Sequence, residues 1–331
     1  MENGTILRRE FTELSDLAAQ LQGMTAEAVP LTPGLYAGAL STFDLGDVTL
    51  QVIRSAPLLM LGAPAAGEIG LIQAFEGAER ARWNGQPVKS SHIAICDSGR
   101  RHEAIYPDAF ACMLLSCKAP QVNATLVPGE FAVSEDGGAA DILHADPEAL
   151  STLAAAARAV EQSGVHPSPA LLAAEARAAL RATMLDAVRG LLVPPGIGAR
   201  AHNRDGRTRQ RIVHEADEYL RANPARPVYT DELCAALCVS ATRLHQAFSA
   251  TFGISPHRYL KLRRMSMVRA ALLSRAGPWR SVKGVALSHG FWHLGQFAHD
   301  YRALYGEAPS ETLGRACPHA TSPGDAGEAR F

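Results

Sequence analysis

The sequence predicts an α+β protein built from a β-rich N-terminal region, a helical connecting segment and an all-α C-terminal region. Three observations carry this prediction. Short apolar runs bounded by turn residues extend to about residue 140, two alanine-rich stretches follow, and amphipathic helical patterns come in close succession beyond residue 209. With 331 residues, 47% of them apolar and 20% charged, the chain is long enough for two or three folded domains. This composition excludes a disordered, collagen-like or small disulfide-stapled protein.

Strand patterns fill residues 1–145, which we expect to form one β-rich domain with an N-terminal helix and the shape of a small barrel. Apolar and polar residues alternate over 48–52, as in a strand with one buried face. The apolar runs 92–96 and 110–117 are short and bounded by turn residues. Asn84 and Gly85 predict a type I′ hairpin, because both central positions of that turn need positive φ.

Alanine dominates the next segment, 146–192, for which we expect two helices at 147–162 and 169–192. Each begins with a proline, whose missing N–H is harmless in the first turn. The second carries an apolar stripe at helical spacing, made of Leu171, Leu172, Ala176, Ala179, Leu180, Met184 and Val188. The stripe fits either a dimer seam or packing against the β-rich domain of the same chain. Residues 193–208, rich in Pro, Gly and Arg and without periodicity, predict a linker.

The charge is divided unequally along the chain. The totals of 32 Lys plus Arg and 33 Asp plus Glu give a net charge of -1. Residues 1–206 carry 15 basic and 23 acidic side chains, a net of -8, whereas residues 207–315 carry 16 and 8, a net of +8. Such asymmetry indicates a polyanionic partner for the basic part. It also predicts that the acidic part contacts the basic part when that partner is absent, as a form of autoinhibition.

The sequence also argues against several locations and chemistries. No run approaches the roughly 18 apolar residues of a membrane span, and no secretory signal precedes the first charged residues, so we expect a cytoplasmic protein. Its cysteines lie at 96, 112, 117, 234, 238 and 317, without a CxxC pair, which predicts free thiols in a reducing compartment. We expect Cys112 and Cys117 to be buried and inert, and Cys234 and Cys238 to be small core residues.

A repeat runs through the basic part. Leu244, Phe248, Phe252, Gly253 and Pro256 recur 53 residues later as Phe297, Tyr301, Tyr305, Gly306 and Pro309. Upstream, the segment 233–239 recurs at 285–291, displaced by 52 residues. Each copy reads as a short helix, a tight turn and a longer helix that ends at an aromatic residue followed by glycine. This is the helix-turn-helix signature, present twice.

The periodicity predicts seven helices in this part, at 210–221, 230–237, 241–252, 256–274, 282–288, 294–305 and 309–313. Ser240 and Thr230 are the expected N-caps of two of them. We expect a double helix-turn-helix domain over 209–315, followed by a disordered tail over 316–331.

The outward faces of the two longer helices carry the candidate DNA contacts. Apolar residues take one stripe and leave Thr242, Arg243, His245, Gln246 and Ser249 outward on the first helix, and His293, Gln296, His299, Asp300 and Arg302 outward on the second. Side chains that donate and accept hydrogen bonds suit base edges, while basic ones suit phosphates. Two such helices would enter successive major grooves about 34 Å apart. The intervening helix carries His257, Arg258, Lys261, Arg263, Arg264 and Arg269, which we expect to contact phosphates.

Residues 210–315 resemble the AraC/XylS-type transcriptional regulators. The resemblance is carried by LCAALCVSATRLHQAFSATFGISPHRYLKLRRM (233–265) and VKGVALSHGFWHLGQFAHDYRALYGEAPSETL (282–313), with FGISP, Gly290-Phe291 and YGEAP at the family's positions. The GFWHLGQF segment is similar to ethanolamine-utilisation regulators. Two departures stand out: His299 occupies the place of a frequent Arg, and Cys238 that of a usual Gly.

The resemblance implies a sequence-specific DNA-binding regulator, an activator by the family's commoner habit, controlled by a small-molecule effector. It implies base or phosphate contacts from Thr242, His245, Gln246, His293, Gln296 and His299. With the basic and capping residues, the candidate DNA-binding set is Ser240, Thr242, Arg243, His245, Gln246, Arg258, Lys261, Arg264, His293, Gln296 and His299. The N-terminal half resembles the family's cupin-like sensor and dimerisation domains loosely. We therefore expect a homodimer that binds double-stranded DNA and RNA polymerase, without a cofactor; the sequence does not identify the effector.

Two other functions compete with this one. A cupin-type metalloenzyme with an accessory helical domain would use His92, His102 and Glu103, but these residues lack the HxH-plus-Glu spacing of such sites. No nucleophile has a base at a suggestive spacing, so we expect no catalytic residues, no metal and no enzyme. A protein-interaction adaptor built on the alanine-rich helices would show no salt-dependent affinity for DNA.

Overall fold

The computed structural model describes residues 6–34, 36–97, 101–118, 142–144, 146–166, 173–192, 204–223, 226–274 and 281–315. The chain forms a β-rich N-terminal domain followed by a helical C-terminal domain, in agreement with the mixed α and β class predicted from the sequence. Across the described residues, no helix combines the length and the apolar character needed to cross a membrane. The predicted tail, 316–331, lies outside the described residues.

The β-rich domain consists of two antiparallel sheets. Its strands are β1 (Ile6–Phe11), β2 (Met24–Pro30), β3 (Gly38–Asp44), β4 (Val48–Ser55), β5 (Leu58–Pro64), β6 (Glu68–Glu76), β7 (Arg82–Trp83), β8 (Gln86–Pro87), β9 (His92–Asp97), β10 (His102–Tyr106), β11 (Phe110–Lys118) and β12 (Ile142–His144). One sheet has the order β1-β3-β4-β11-β6-β9-β12 and the other β2-β5-β10-β7-β8. Helix α1 (Leu14–Gln20) connects β1 to β2, as the predicted N-terminal helix.

The predicted hairpin is confirmed at the turn between β7 and β8. Asn84 has φ 47° and Gly85 has φ 77°, so both central residues take the left-handed conformation that a type I′ turn needs. The Asn84 side chain also stabilises the neighbouring strand, because its Oδ1 accepts a hydrogen bond of 2.8 Å from the backbone N–H of Glu103.

Apolar side chains from the two sheets fill the space between them. Met60 and Trp83 from the five-stranded sheet pack with Ile53 and Leu114 from the seven-stranded sheet in one continuous cluster. The rings of Tyr106 and Phe110 stack 3.8 Å apart in the same layer. The space left inside this layer is only about 20 Å³.

Helices α2 (Pro147–Val165) and α3 (Ala174–Leu192) cover the outer face of the seven-stranded sheet. Leu153, Val160 and Met184 are buried against strand residues such as Leu50 and Met113. Of the two interpretations left open by the sequence, packing within the chain accounts for Met184 and Val188, whereas Ala179 is exposed and Leu171 and Leu172 lie outside the described residues. Ion pairs join this layer to the sheet, Arg54 to Glu161 and Arg181 to Asp47.

The C-terminal domain contains α4 (Arg204–Ala222), α5 (Thr230–Ala236), α6 (Ala241–Phe252), α7 (Pro256–Ser274), α8 (Val282–Ser288), α9 (Leu294–Tyr305) and α10 (Pro309–Arg315). Four of the predicted helices have the observed bounds. Residues 204–208 are helical, so the predicted linker 193–208 is wrong over its last five residues; apart from Gly206, the side chains there tolerate a helix. The predicted cap at Thr230 is also wrong, because the N-cap is Tyr229, which makes no side-chain capping bond.

The outer face of the five-stranded sheet docks on the helical domain. Leu31, Leu59 and Ile105 from this face share one apolar cluster with Ile212 of α4 and Leu260 of α7. The C-terminal helices therefore form a common core with the β-rich domain. The acidic N-terminal part and the basic C-terminal part are in contact, as their opposite charges predict.

The cysteines lie in different environments of the fold. Cys112 belongs to the layer between the sheets and Cys117 to the layer under α2 and α3, so the two thiols face opposite sides of β11. Burial raises the pKa of each to about 12, which confirms the prediction of inert thiols. Cys234 is partly buried, but Cys238 is exposed in a turn, so its prediction as a core residue is wrong. Cys317 lies outside the described residues.

Candidate nucleic-acid interface

Two helix pairs dominate the C-terminal domain, α5 with α6 and α8 with α9. In each pair a helix of seven residues precedes a helix of twelve. Each longer helix ends at a left-handed glycine, Gly253 with φ 68° and Gly306 with φ 74°. The turns inside the pairs also hold equivalent left-handed residues, Cys238 with φ 52° and Gly290 with φ 79°. The 53-residue repeat is therefore a repeat of backbone conformation as well as of sequence.

The inward stripes predicted for the longer helices are buried. Leu244, Ala247, Phe248 and Phe252 of α6, and Phe297, Tyr301 and Tyr305 of α9, belong to the C-terminal core. Tyr259 of α7 packs its ring on Phe252 at 4.8 Å and on Phe248 at 5.1 Å. This packing fixes the rotation of α6 about its own axis, and so determines which side chains face solvent.

On α6 the outward face is polar and basic. Thr242, Arg243, His245 and Gln246 are exposed, and Ser249 is partly exposed beside His245, with its Oγ 3.4 Å from the His245 Nδ1 atom. Ser240 is the N-cap: its Oγ accepts a hydrogen bond of 3.3 Å from the backbone N–H of Arg243, as predicted. The cap holds the start of α6, where these side chains lie.

On α9 the outward face includes an acidic residue. His293, Gln296 and His299 are exposed, and the Gln296 side chain donates a hydrogen bond of 3.0 Å to Asp300. Lys261 of α7 pairs with the same carboxylate, with its Nζ 2.6 Å from Asp300 Oδ2. Asp300 therefore ties α9 to α7 and neutralises the charge of Lys261.

Trp292 is a surface residue of this region that the sequence reasoning missed. It is 67% exposed, directly before His293 and the start of α9. Single exposed apolar side chains are common on protein surfaces, so its place beside His293 rather than its exposure makes it a candidate for contact with DNA. The available signal was its position outside the apolar stripe, next to the Gly290-Phe291 pair.

The basic residues of α7 fall into separate environments. Arg258 is exposed, with its Nη2 3.4 Å from the backbone oxygen of Leu31. The Arg264 guanidinium lies between two rings, 5.0 Å from the Tyr229 centroid and 5.2 Å from that of Phe291. This position links α7 to the turn of the second helix pair through cation–π contacts. His257 is exposed on the same helix.

Two of these basic residues are buried and cannot reach a phosphate. Arg263 Nη1 donates a hydrogen bond of 2.9 Å to Asp217 of α4, and Arg269 Nε donates one of 2.7 Å to Glu13, the residue directly before α1. The expectation of phosphate contacts from Arg263 and Arg269 is therefore wrong. Both guanidinium groups are paired with carboxylates from other parts of the chain. The periodicity of α7 alone does not reveal these partners.

The comparisons with known proteins concern this part of the chain. Residues 233–315 match the family model described as "Helix-turn-helix domain". The XylDLEGF operon transcriptional activator of Pseudomonas putida is 34% identical over 108 residues, which cover 33% of this chain and 32% of that protein. The chain thus contains a helix-turn-helix domain. The match spans about a third of the length of this first curated relative.

Other relatives are also regulators. The XylDLEGF operon transcriptional activator 2 of P. putida is 35% identical over 96 residues, 29% of this chain and 61% of that protein. The probable thc operon regulatory protein of Rhodococcus erythropolis is 34% identical over 102 residues, 31% of each chain. These relatives are named as transcriptional activators and as an operon regulatory protein. The similarity to ethanolamine-utilisation regulators stays a prediction.

Among solved structures, the AraC-like transcriptional activator CuxR is 14% identical, with 80% of this chain and 96% of that chain covered and a TM-score of 0.40. ToxT from Vibrio cholerae O395 is 10% identical, with 90% and 100% covered and a TM-score of 0.29.

The residues named for a metalloenzyme are separated by the fold. His92 lies on β9 of the seven-stranded sheet, whereas His102 lies on β10 of the five-stranded sheet. His102 stacks on Trp83 at 5.4 Å and has its Nδ1 3.2 Å from the Asn84 side-chain nitrogen. Glu103 follows His102 on β10 and so faces the opposite side of the strand. Within the described ranges, no group of three His, Cys, Asp or Glu residues is arranged to hold a metal.

Proposed function

We propose that the protein is a sequence-specific DNA-binding transcriptional regulator and that both helix pairs are helix-turn-helix units. One observation carries the proposal. On both α6 and α9, one face is apolar and buried and the opposite face is polar and exposed, at equivalent positions of the repeat and within a segment of net charge +8. Two such units on one chain would read adjacent major grooves, about 34 Å apart on the duplex. The similarity to transcriptional activators supports activation as the mode of regulation.

Within this proposal the residues divide by chemistry. Gln246 and Gln296 carry amides that both donate and accept, as bidentate contacts to adenine require. Thr242, His245, His293 and His299 provide further contacts near base edges or phosphates, while Arg243, Arg258 and Arg264 provide positive charge for the backbone. Lys261 contributes its charge by exchanging Asp300 for a phosphate. Ser240 acts through its cap at the start of α6.

We further propose that the β-rich domain is a cupin-like sensor and that a small-molecule effector acts through its docking on the helices. The Arg82 Nη1 atom donates a hydrogen bond of 3.0 Å to the backbone oxygen of Ala250 near the end of α6. The backbone N–H of Gly34 donates one of 3.2 Å to the oxygen of Ala303 near the end of α9. The sensor thus touches both units near the C-terminal ends of α6 and α9. A change in how the sensor docks would therefore change how freely the two units move relative to each other.

Assembly with other molecules completes the proposal. The exposed part of α3, including Ala179, is available for a homodimer seam. An activator of this kind also needs RNA polymerase as a partner. We assign no cofactor to this function.

The direct test is selection of binding sites from a random pool of duplexes, followed by gel shifts with a salt titration. The proposal expects recovery of a defined sequence and an affinity that falls steeply with salt. Arg243→Ala should lower the slope of the salt dependence by about one. Arg80→Ala is the matched control, because Arg80 is an exposed arginine of the β-rich domain. Affinity that stays flat between low and physiological salt would contradict the proposal.

A further inference from the structure

A cavity of about 370 Å³ lies between the β-rich domain and the C-terminal helices. One wall comes from α1, β2 and the loop before β3, with Leu14, Ala28 and Tyr36 among its residues. The opposite wall comes from α7 and the end of α9, with Ala270, Leu273 and Tyr305. We call this space the interdomain cavity.

The interdomain cavity differs sharply from the interior of the β-rich domain. Pockets for small molecules usually have volumes of roughly 300–1,000 Å³, and the cavity falls within this range. The space between the two sheets is about 20 Å³ and is closed by Trp83, Tyr106 and Phe110. By the same measure one water molecule needs about 10–15 Å³, so the interior has room for about one water and none for an organic effector.

Tyr305 presents its ring rather than its hydroxyl to the interdomain cavity. The side chain is 7% exposed, while its hydroxyl oxygen has almost no accessible surface and no hydrogen-bond partner within the part of the chain that the structure describes. The hydroxyl therefore offers a ligand no accessible donor, and the ring adds to the apolar wall.

The charged residues of the cavity wall are already paired. Arg269 donates hydrogen bonds of 2.7 and 2.5 Å to Glu13, and its Nη1 lies 3.0 Å from Glu307 Oε1. The Oε1 atom of Glu13 also accepts a hydrogen bond of 2.8 Å from Arg315. Glu27 lines the cavity as well. A ligand carboxylate would therefore be repelled by the carboxylates of Glu13 and Glu27. A ligand amine would have to compete with Arg269 and Arg315 for Glu13.

We propose that the interdomain cavity is the effector site and that it takes an uncharged, largely apolar organic molecule. The apolar walls from Leu14, Ala28 and Leu273 and the ring of Tyr305 provide the burial, and the existing pairing of Glu13 with Arg269 disfavours an ionised ligand. The regulatory part of this inference rests on the proposed DNA-binding function, whereas the ligand class rests on the cavity alone.

The location gives a ligand a route to the DNA-binding helices. A bound molecule touches α7, which connects the two helix pairs, and the end of α9, together with α1 and β2. Because both walls are needed to enclose it, the ligand binds the docked arrangement more tightly than an undocked one. Its binding energy therefore shifts the population of the docked state.

The first experiment measures binding of prodan, a neutral naphthyl ketone whose emission moves to shorter wavelengths in apolar surroundings. We expect the full chain to bind one molecule. Ala270→Trp, which places a large side chain at an exposed position of the cavity wall, should weaken binding at least about tenfold. Ala155→Trp, an equivalent change at an exposed position of α2 away from the cavity, should leave binding unchanged. Equal binding by the two variants would overturn the site.

The ligand class is tested separately. Tyr305→Phe keeps the ring and removes a hydroxyl that does not reach the cavity, so the fold should be retained and prodan affinity should stay within about twofold of the wild type. A larger loss would overturn the assignment of an apolar wall at Tyr305. Naphthoate and naphthylmethylamine, which carry opposite charges on a similar ring system, should bind more weakly than prodan. Tighter binding of either would overturn the assignment of an uncharged ligand.

The last measurement separates failure of this inference from failure of the proposed function. DNA recovered from the selection experiment is added to the prodan complex at saturation. Linkage requires that DNA change the prodan affinity by the same factor by which prodan changes the DNA affinity. A factor different from one supports the effector role, and a factor of one overturns it. If no duplex is recovered, the DNA-binding proposal fails while the binding measurements on the cavity still stand.

Discussion

Arg269 holds Glu13 in a two-pronged ion pair, with its Nε 2.7 Å from Oε2 and its Nη2 2.5 Å from Oε1 of the carboxylate. Only about a tenth of either side chain is exposed. The same guanidinium lies 4.3 Å from the centroid of the Tyr305 ring. The N-cap residue of α1 is thereby joined to α7, the helix that connects the two helix pairs.

The first prediction concerns this pair. Glu13→Gln should lower the free energy of unfolding by about 3 kcal/mol, because it leaves Arg269 buried without its main counterion. Burial raises the pKa of Glu13, but hydrogen bonds from Arg269 and Arg315 outweigh it and hold the pKa below its usual 4.5. The wild-type stabilisation is therefore present above pH 4.5 and is lost as the pH falls through the folded-state pKa. Urea denaturation at several pH values measures both effects.

A matched control separates the buried pair from a surface one. Glu10 pairs with Arg8 on β1 and is 79% exposed, so Glu10→Gln should change stability by less than about 1 kcal/mol. If the two variants unfold at the same urea concentration, the buried pair contributes no more than a surface contact.

The contrast between Arg263 and Arg264 shows how far sequence reasoning extends. The inward stripes of α6 and α9 were predictable, because a period of 3.6 residues is a local signal. Arg263 and Arg264 are adjacent on α7, yet one pairs with Asp217 and the other lies on the rings of Tyr229 and Phe291. Their partners come from α4 and from the loops before α5 and α9, so only tertiary packing distinguishes the two side chains.

The interdomain cavity was beyond sequence reasoning for a similar reason. Its residues come from α1, β2, α7 and α9, and their apolar side chains resemble those of any core. The only sequence signal for docking of the five-stranded sheet on the C-terminal helices was the opposite net charge of residues 1–206 and 207–315. Trp292 was overlooked because a single exposed aromatic residue produces no periodic signal.

The second prediction addresses base recognition. Gln246→Ala and Gln296→Ala should each lower the affinity for a selected duplex by about 1–3 kcal/mol and relax the preference at one base pair. Neither side chain is buried, so stability should be retained. Competition gel shifts with single-base variants of the duplex measure the loss. Gln86→Ala, at an exposed position of β8, is the control. A uniform loss over all sequences would indicate backbone contact instead.

The third prediction compares the equivalent turns. Gly290 has φ 79°, and a Cβ there would lie 2.7 Å from both Pro227 Cβ and the Tyr229 hydroxyl. Gly290→Ala should therefore destabilise the protein by more than about 1–2 kcal/mol, the cost of the left-handed conformation alone. Cys238→Gly should instead stabilise it by up to about 1 kcal/mol, because Cys238 already bears that cost at φ 52°. Thermal unfolding measures both, with Cys238→Ala as the control that should bring no gain.

The fourth prediction concerns pH and Glu103 of β10. Burial raises the pKa of Glu103 from 4.5 to about 8, and the nearby Asp217 carboxylate adds to the shift while Arg101 opposes it. Between these two pH values the folded state binds a proton that the unfolded state lacks, so wild-type stability should fall as the pH rises through this window. Glu103→Gln, which stays neutral, should flatten that slope and unfold at higher urea than the wild type above about pH 8. Glu218→Gln, at an exposed position of α4, should keep the wild-type slope. Identical pH profiles for Glu103→Gln and the wild type would show that Glu103 is ionised in the folded protein, with the docked face hydrated around it.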